Sequence, residues 1–229
     1  MAIQVRDILL NAQIVLNDLG AAKRWPLTEL LGWVNEAASR ICAAKPNANV
    51  EPRTLSLVPG AQQSIPAGTT HLVRVLSSLV PTRSAVTIVS RQLLDGFSLG
   101  WQDPATFPAT DYVRHVILDP ADPETFLVFP PNDGTGQIEC EMAVTPTVIP
   151  TPSPADDIAA YVDPIPLGDQ FQTAILDYVL YRAFSKDAGL PGAGNRALSH
   201  FQAFQVAIGE KIRQDMTMNA STSHAMPRT

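Results

Sequence analysis

The side chains best suited to metal binding or acid–base catalysis are few in this sequence and lie far apart. Consecutive histidines are separated by 44, 85 and 24 residues, and none has a cysteine, a glutamate or another histidine at zinc-ligand spacing. The two cysteines stand 98 residues apart, each within an apolar pattern, so we expect buried, reduced thiols rather than a disulfide. These residues are His71, His115, His200, His224, Cys42 and Cys140.

Two short patterns resemble ligand-binding loops, but each lacks a residue that the chemistry requires. The acidic turn containing Asp119, Asp122 and Glu124 has neither the alternating oxygen ligands nor the bidentate glutamate of a calcium loop. The glycines at 189, 192 and 194 follow a predicted helix, and no Lys-Ser/Thr pair follows them, so a phosphate-binding loop is not indicated. The sequence predicts no catalytic site, no metal and no cofactor.

Composition favours a globular protein that covers part of its surface with other protein. Of the 229 residues 45% are apolar and only 17% are charged, whereas a typical domain has about a quarter charged residues. The net charge of −6 argues against a surface that grips nucleic acid, because phosphate binding depends on clustered Lys and Arg. We find no signal-peptide pattern and no apolar run near the ~20 residues that span a bilayer, so folding in a cytoplasm is expected.

Helical patterns occupy both ends of the chain. Residues 3–19 predict a first helix with Gly20 as its C-terminal cap, and Trp25-Pro26 begins a second helix that Pro46 ends. Its polar positions, Glu29, Asn35, Glu36 and Arg40, are expected to be solvated. Residues 167–213 predict a helical hairpin that joins residues 1–46 in one bundle.

The middle of the chain has a different pattern. Residues 52–147 contain short β-branched runs separated by turns, with one short helical piece near 91–97, and predict an antiparallel β meander. The proline-rich residues 148–166 predict an extended connector. The expected fold class is therefore α+β, with a β-rich lobe inserted into a helical bundle and an extended C-terminal tail at 214–229.

The helix after Leu167 is apolar on nearly all sides, so other helices or neighbouring subunits must cover it. Aromatic residues and one arginine recur along this hairpin at helical spacing. A tryptophan of the second N-terminal helix is a further candidate for packing within the bundle or between subunits. The candidate packing residues are Trp33, Phe171, Tyr178, Tyr181, Arg182, Phe201 and Phe204.

Four segments of the chain are similar to the head–tail adaptor proteins of short-tailed bacteriophages. They are Val5-Arg-Asp-Ile-Leu, the Arg24-Trp-Pro-Leu-Thr-Glu-Leu-Leu-Gly-Trp-Val-Asn35 helix start, the run from Leu176 to Ala188, and His200-Phe-Gln-Ala-Phe204. The resemblance implies a structural virion protein that forms a ring, typically of twelve copies, between the portal protein and the tail nozzle. It also implies a seat for tail fibres, and a lumen through which DNA passes without specific binding.

The tail at 214–229 has no pattern able to build a core, so we expect it to dock on the portal. Its anchors would be Met216, Met218 and Met226, because methionine adapts to irregular grooves, with Arg228 available for an acidic patch. Two alternatives stay open from sequence. One is a cytoplasmic homo-oligomeric enzyme, and the other is a binding module, each with a site that its sequence pattern does not reveal.

Overall fold

The protein forms two compact units in the computed structural model, and the chain passes from the first to the second and back. The structure describes residues 4–19, 24–97, 100–103, 105–119, 121–187, 189 and 191–222, with side chains described to Gln214. The helical unit comprises the described residues up to Ala48 and from Pro146 onward, and the β unit is Asn49–Thr145. The predicted α+β class is confirmed.

The described residues form α-helices in one unit, and mainly β-strands in the other. In chain order the elements are α1 Val5–Val15, α2 Leu27–Ala44, β1 Val50–Ser56, β2 Gly60–Ser64, β3 Thr69–Ser78, β4 Ser84–Ala85, β5 Thr87–Ile88, α3 Arg91–Phe97, β6 His115–Leu118, β7 Thr125–Asn132, β8 Gln137–Val144, α4 Gln172–Lys186 and α5 Ala193–Thr222. Single 3₁₀ turns occur at Pro46–Ala48, Ile158–Ala160 and Asp169–Phe171.

The helical unit has one hydrophobic core, to which α1, α2, α4 and α5 all contribute. Helix α4 packs against each of the other three, which explains why its sequence is apolar almost all round. Its residues Ile175, Tyr178 and Val179 are at most 1% exposed. The pattern that predicted a covered helix is thus accounted for within a single copy of the chain.

The proline-rich segment is more than a linker, because it caps α1 and enters the core. The backbone N–H groups of Val5 and Arg6 have no partner inside α1, and they donate to the carbonyl oxygens of Asp163 and Tyr161 at 3.1 and 3.0 Å. Side chains of this segment are also buried among the helices. They are Ile149, Tyr161 and Ile165. The segment therefore contributes side chains to the helical core as well as linking parts of the chain.

Helix α1 ends at Val15, four residues before the predicted end. Asn17 adopts the left-handed conformation with φ 53°, so the helix turns off there and not at Gly20, which lies outside the described residues. The carboxylate of Asp18 then accepts hydrogen bonds from the backbone N–H groups of Arg24 and Trp25 at 3.0 and 3.1 Å. These bonds fix the start of α2 and terminate α1 early.

The β unit contains two four-stranded sheets rather than the predicted meander. Their strand orders are β1-β8-β3-β4 and β2-β7-β6-β5, and every pair is antiparallel except β5–β6. The chain switches repeatedly from one sheet to the other, so distant segments pair, as Val50 does with Ala143. Turn chemistry alone cannot specify such long-range pairing.

One shared core lies between the inner faces of the two sheets. Ile138, Cys140 and Met142 of β8 are fully buried there, as their alternation with polar residues predicts, together with Phe126 and Val128 of β7. The opposite face of β7 carries Leu127 and Phe129. These pack in a second cluster, under α3 and the loop around Trp101.

Helix α5 is the longest element, and it overturns part of the predicted tail. Its 30 residues correspond to about 45 Å, twice the length of α4. Residues 214–222 are helical and not extended as composition indicated, because a regular helix propagates at one hydrogen bond per added residue once nucleated. Residues 223–229 lie outside the described part of the chain.

Candidate assembly surfaces

The aromatic candidates of the helical hairpin form one cluster between α4 and α5. The Tyr178 ring lies 5.6 Å from Tyr181 and 5.0 Å from Phe204, and the Tyr181 and Phe201 centroids are 4.8 Å apart. Tyr178 and Phe204 are buried, while Tyr181 and Phe201 are half-buried at the rim. Such ring pairs contribute about 0.5–1.5 kcal/mol each beyond the area that they bury.

A polar network fixes α4 against α2 beside this cluster. The Tyr178 hydroxyl donates to Oε1 of Glu36 at 2.7 Å, and the Arg182 guanidinium donates to both oxygens of the same carboxylate. Arg40 lies 3.5 Å from Glu36 and over the Tyr178 ring. Burial raises the pKa of Tyr178, and its hydrogen bond to Glu36 raises it further.

All four polar positions of α2 that were expected to be solvated contact other segments, and of these only Arg40 is exposed. Besides the Glu36 network, Asn35 donates to and accepts from the backbone of Ile149, at 3.0 and 2.9 Å. Glu29 accepts a hydrogen bond from Lys186 at 2.6 Å. Polar side chains of α2 therefore position both the connector and α4, which corrects the prediction of a solvated face.

The remaining predicted packing residues lie inside the helical unit. Trp33 is 8% exposed and Phe171 is 1% exposed, with the Lys45 ammonium 5.3 Å from the Phe171 ring centroid. Within the predicted tail, Met216 and Met218 lie on α5, whereas Met226 and Arg228 are outside the described residues. The geometry brings together the hairpin aromatics, Arg182 and Glu36, and it does not bring the tail methionines into that group.

The helical unit also exposes apolar side chains on α1. Leu10 and Ile14 are 42% and 54% exposed, one turn apart, on the face opposite the buried Val5, Ile8 and Leu9. The sequence pattern contained a signal for this face, since apolar residues fall on two sides of an eleven-residue helix. We take this face as a candidate surface for contact with another protein.

Charge is distributed unevenly between the two units. The β unit has five arginines against ten acidic residues, a net charge of −5, which leaves −1 for the rest of the chain. On β8, the carboxylate of Glu141 accepts from Arg74 at 2.6 and 2.7 Å, and Glu139 accepts from Arg83. The Arg74 hydrogen bond lowers the pKa of Glu141. The excess acid makes this unit unfavourable for holding DNA phosphates.

The histidines are dispersed over both units. His115 stacks on Phe129 at 6.0 Å, His200 bonds Asp177 at 2.9 Å, and His71 lines a pocket of about 310 Å³ with Leu118. His224 lies outside the described residues. Among the residues that the structure describes, no three His, Cys, Asp or Glu side chains cluster as metal ligands would.

The acidic turn and the two cysteines make contacts within the fold that are typical of structural residues. Asp119 and Asp122 accept hydrogen bonds from nearby backbone N–H groups of their own turn. Cys42 and Cys140 are free thiols in different units, and burial raises the pKa of Cys140 to about 11. A thiol with that pKa is protonated near neutral pH and unreactive.

Residues 96–100, Gly-Phe-Ser-Leu-Gly, match the Gly-x-Ser-x-Gly pattern of serine-hydrolase elbows. That elbow joins a strand to a following helix, whereas Gly96 lies in the last turn of α3 and a turn, not a helix, follows Gly100. The required strand–turn–helix context is absent from the described residues on either side. Of the described helices, none has the length and apolarity needed to cross a membrane.

The chain matches a known protein family over nearly its whole length. The family model described as SU10 adaptor protein covers residues 3–227. No curated protein sequence matches the chain. The family is one of structural phage adaptors and not of enzymes, in agreement with the resemblance of the four segments. The chain belongs to the SU10 adaptor protein family, and it is a structural component of the bacteriophage head–tail junction.

Proposed function

We propose that this protein forms a ring that joins the DNA-filled head to the tail nozzle. The resemblance implies that the ring has twelve copies. The family assignment over residues 3–227 is the observation that carries the proposal. The low charged fraction and the exposed α1 face supply surface for contacts between copies. Copies would assemble on the portal in the host cytoplasm and remain in the virion.

The charge distribution supports a conduit through which DNA slides. A net charge of −5 on the β unit repels phosphates, whereas a basic lumen would hold the duplex through counterion release. We propose that acidic side chains of the β unit face the DNA, and that no base-specific contact forms. The same ring would seat the tail fibres on its outside.

The C-terminal segment is the proposed portal-docking element. Helix α5 continues about 20 Å beyond the length that α4 can cover, and this extension includes Met216 and Met218. We propose that it docks as a helix up to Thr222 and that Met226 and Arg228 add contacts beyond it. Each copy need bind only weakly, because a ring presents many such segments at once.

Electron microscopy of tailless heads mixed with the purified protein tests the proposal. We expect a ring of added density at the portal vertex, and no such density on heads that lack the portal. Discrete small oligomers that leave portal-bearing heads undecorated would contradict the adaptor role of this chain at that position and favour an oligomeric enzyme or binding module.

A further inference from the structure

The helical unit contains an apolar groove between the end of α2 and the distal half of α5. Its volume is about 540 Å³. The buried Phe204 and Ile208 form its floor, and Ala43, Ala44 and Gly209 line its walls. The groove exists because these wall residues are small: a Cβ added to Gly209 would meet nothing within 4 Å. The groove is therefore wide enough to receive side chains from outside.

The exposed α1 face, formed by Leu10 and Ile14, is a matching ridge. Helix α1 packs against α2 and α4 with its opposite side, so this ridge points away from its own unit. Asp7 lies one turn earlier on the same face, with its side chain 51% exposed. The ridge therefore presents two aliphatic side chains preceded by a carboxylate.

Asp7 and Arg40 carry opposite charges at the two sites, and each has a charged neighbour in its own copy: Arg6 lies 4.0 Å from Asp7, and Glu36 lies 3.5 Å from Arg40. Arg40 lines the groove with its side chain 58% exposed, and a guanidinium has five N–H donors, more than its 3.5 Å contact with Glu36 uses. The exposed apolar residues of α5, Leu198 and Val206, fit the groove less well, because they are two turns apart with Gln202 between them.

We propose that the groove of one copy receives the α1 ridge of the next, with Leu10 and Ile14 seated over Phe204 and Ile208. Asp7 then faces Arg40 of the adjoining copy. A ridge and a groove on different helices give a heterologous contact, which forms a ring when the rotation from one copy to the next closes. The inference rests on the proposed ring and identifies the surfaces that join its copies.

Site-directed cross-linking tests the contact in the full-length chain. The variant carries Ile14→Cys and Gly209→Cys in a Cys42→Ser background, and a short bismaleimide joins thiols that lie close together. We expect a ladder of covalent dimers, trimers and larger multimers, both in concentrated protein and on portal-bearing heads. Either cysteine alone should give no ladder, since a heterologous contact pairs two different positions. Dimers from a single cysteine would overturn the proposal.

A matched pair of substitutions tests the groove without cysteines. Gly209→Leu fills the groove and should abolish assembly while retaining helical circular dichroism, because leucine favours helix more than glycine does. Gly32→Leu places the same side chain at an exposed position of α2 with equally open space, and it should assemble normally. Normal assembly of the Gly209→Leu variant would overturn the contact.

The outcomes for the contact and for the adaptor role are separable. Density on heads without a ladder refutes the ridge-and-groove contact and leaves the adaptor role intact. A ladder in free protein without binding to heads supports the contact and refutes the adaptor role. Absence of the ladder in both preparations refutes the contact, whether or not heads are bound.

Discussion

Removing the Tyr178 ring should destabilise the helical unit far more than removing its hydroxyl group alone. The ring is 1% exposed and lies within 5.0 and 5.6 Å of the Phe204 and Tyr181 rings. Truncating a fully buried aromatic side chain to alanine costs about 3–5 kcal/mol, because transfer energy is lost and a cavity remains. We expect that loss for Tyr178→Ala.

The hydroxyl contributes less because its partner stays satisfied without it. In Tyr178→Phe the Glu36 carboxylate keeps its hydrogen bonds from Arg182, so no buried charge is left unpaired. The expected loss is about 1.5 kcal/mol, the low end of the range for a hydrogen bond to a charged group. Tyr181→Ala is the matched control, since its ring is half-buried in the same cluster, and its loss should fall below that of Tyr178→Ala.

Urea unfolding followed by tryptophan fluorescence measures these differences for the helical unit alone. In a Trp101→Phe background the remaining tryptophans, Trp25 and Trp33, both belong to the helical unit. Protein concentration must be held fixed, because assembly stabilises the folded state. A Tyr178→Ala loss below about 1 kcal/mol, or equal losses for the phenylalanine and alanine variants, would refute the assignment of this ring to the core.

Three further experiments test the C-terminal segment, two buried tyrosines and a buried cysteine. Deleting residues 214–229 should leave the melting temperature nearly unchanged, because the described core side chains of α5 end at Ile208 and Ile212. The deletion should abolish co-sedimentation with portal-bearing heads, and undiminished co-sedimentation would contradict the docking role. Burial raises the pKa of Tyr161 and Tyr178, so the native state keeps protons that the unfolded chain releases, and the free energy of unfolding should fall as pH rises above about 10. In a variant with both tyrosines replaced by phenylalanine, the free energy of unfolding measured with urea should fall less over the same pH range. Cys140 is fully buried, and its pKa is raised to about 11. In a Cys42→Ser variant at pH 8, a thiol reagent should therefore react only as the protein unfolds. Rapid labelling of the folded protein would contradict the burial of Cys140.

The features that depend on local periodicity could be predicted from the sequence. Ile138, Cys140 and Met142 alternate with polar residues along β8 and are buried, and the spacing of Tyr178 and Phe204 indicated residues that pack. A helical pattern reports which positions are polar but not what lies opposite them. Glu36 was therefore predicted to be solvated, although Tyr178 and Arg182, more than 140 residues away, bind it.

Long-range pairing accounts for the other differences. The chain crosses four times between the two sheets, and the pairing of β1 with β8 joins residues about ninety positions apart, which no turn signal encodes. The ridge on α1 was missed for a related reason. Apolar character marks Leu10 and Leu9 alike, and only the packed structure shows which of them the unit covers.

The pairing of Val50 with Ala143 also has a consequence for how the chain folds during synthesis. The β unit is one continuous stretch, so it can fold as soon as it has left the ribosome. At that time α4, against which α1 and α2 pack, has not yet been synthesised. Once β1 and β8 pair, the segments that lead into and out of the unit start side by side. Closing a disordered loop of that length would cost on the order of 4 kcal/mol of chain entropy. The folding free energy of the β unit offsets that cost. When α4 and α5 are synthesised, they therefore pack against α1 and α2 with almost no further loss of chain entropy from the inserted residues.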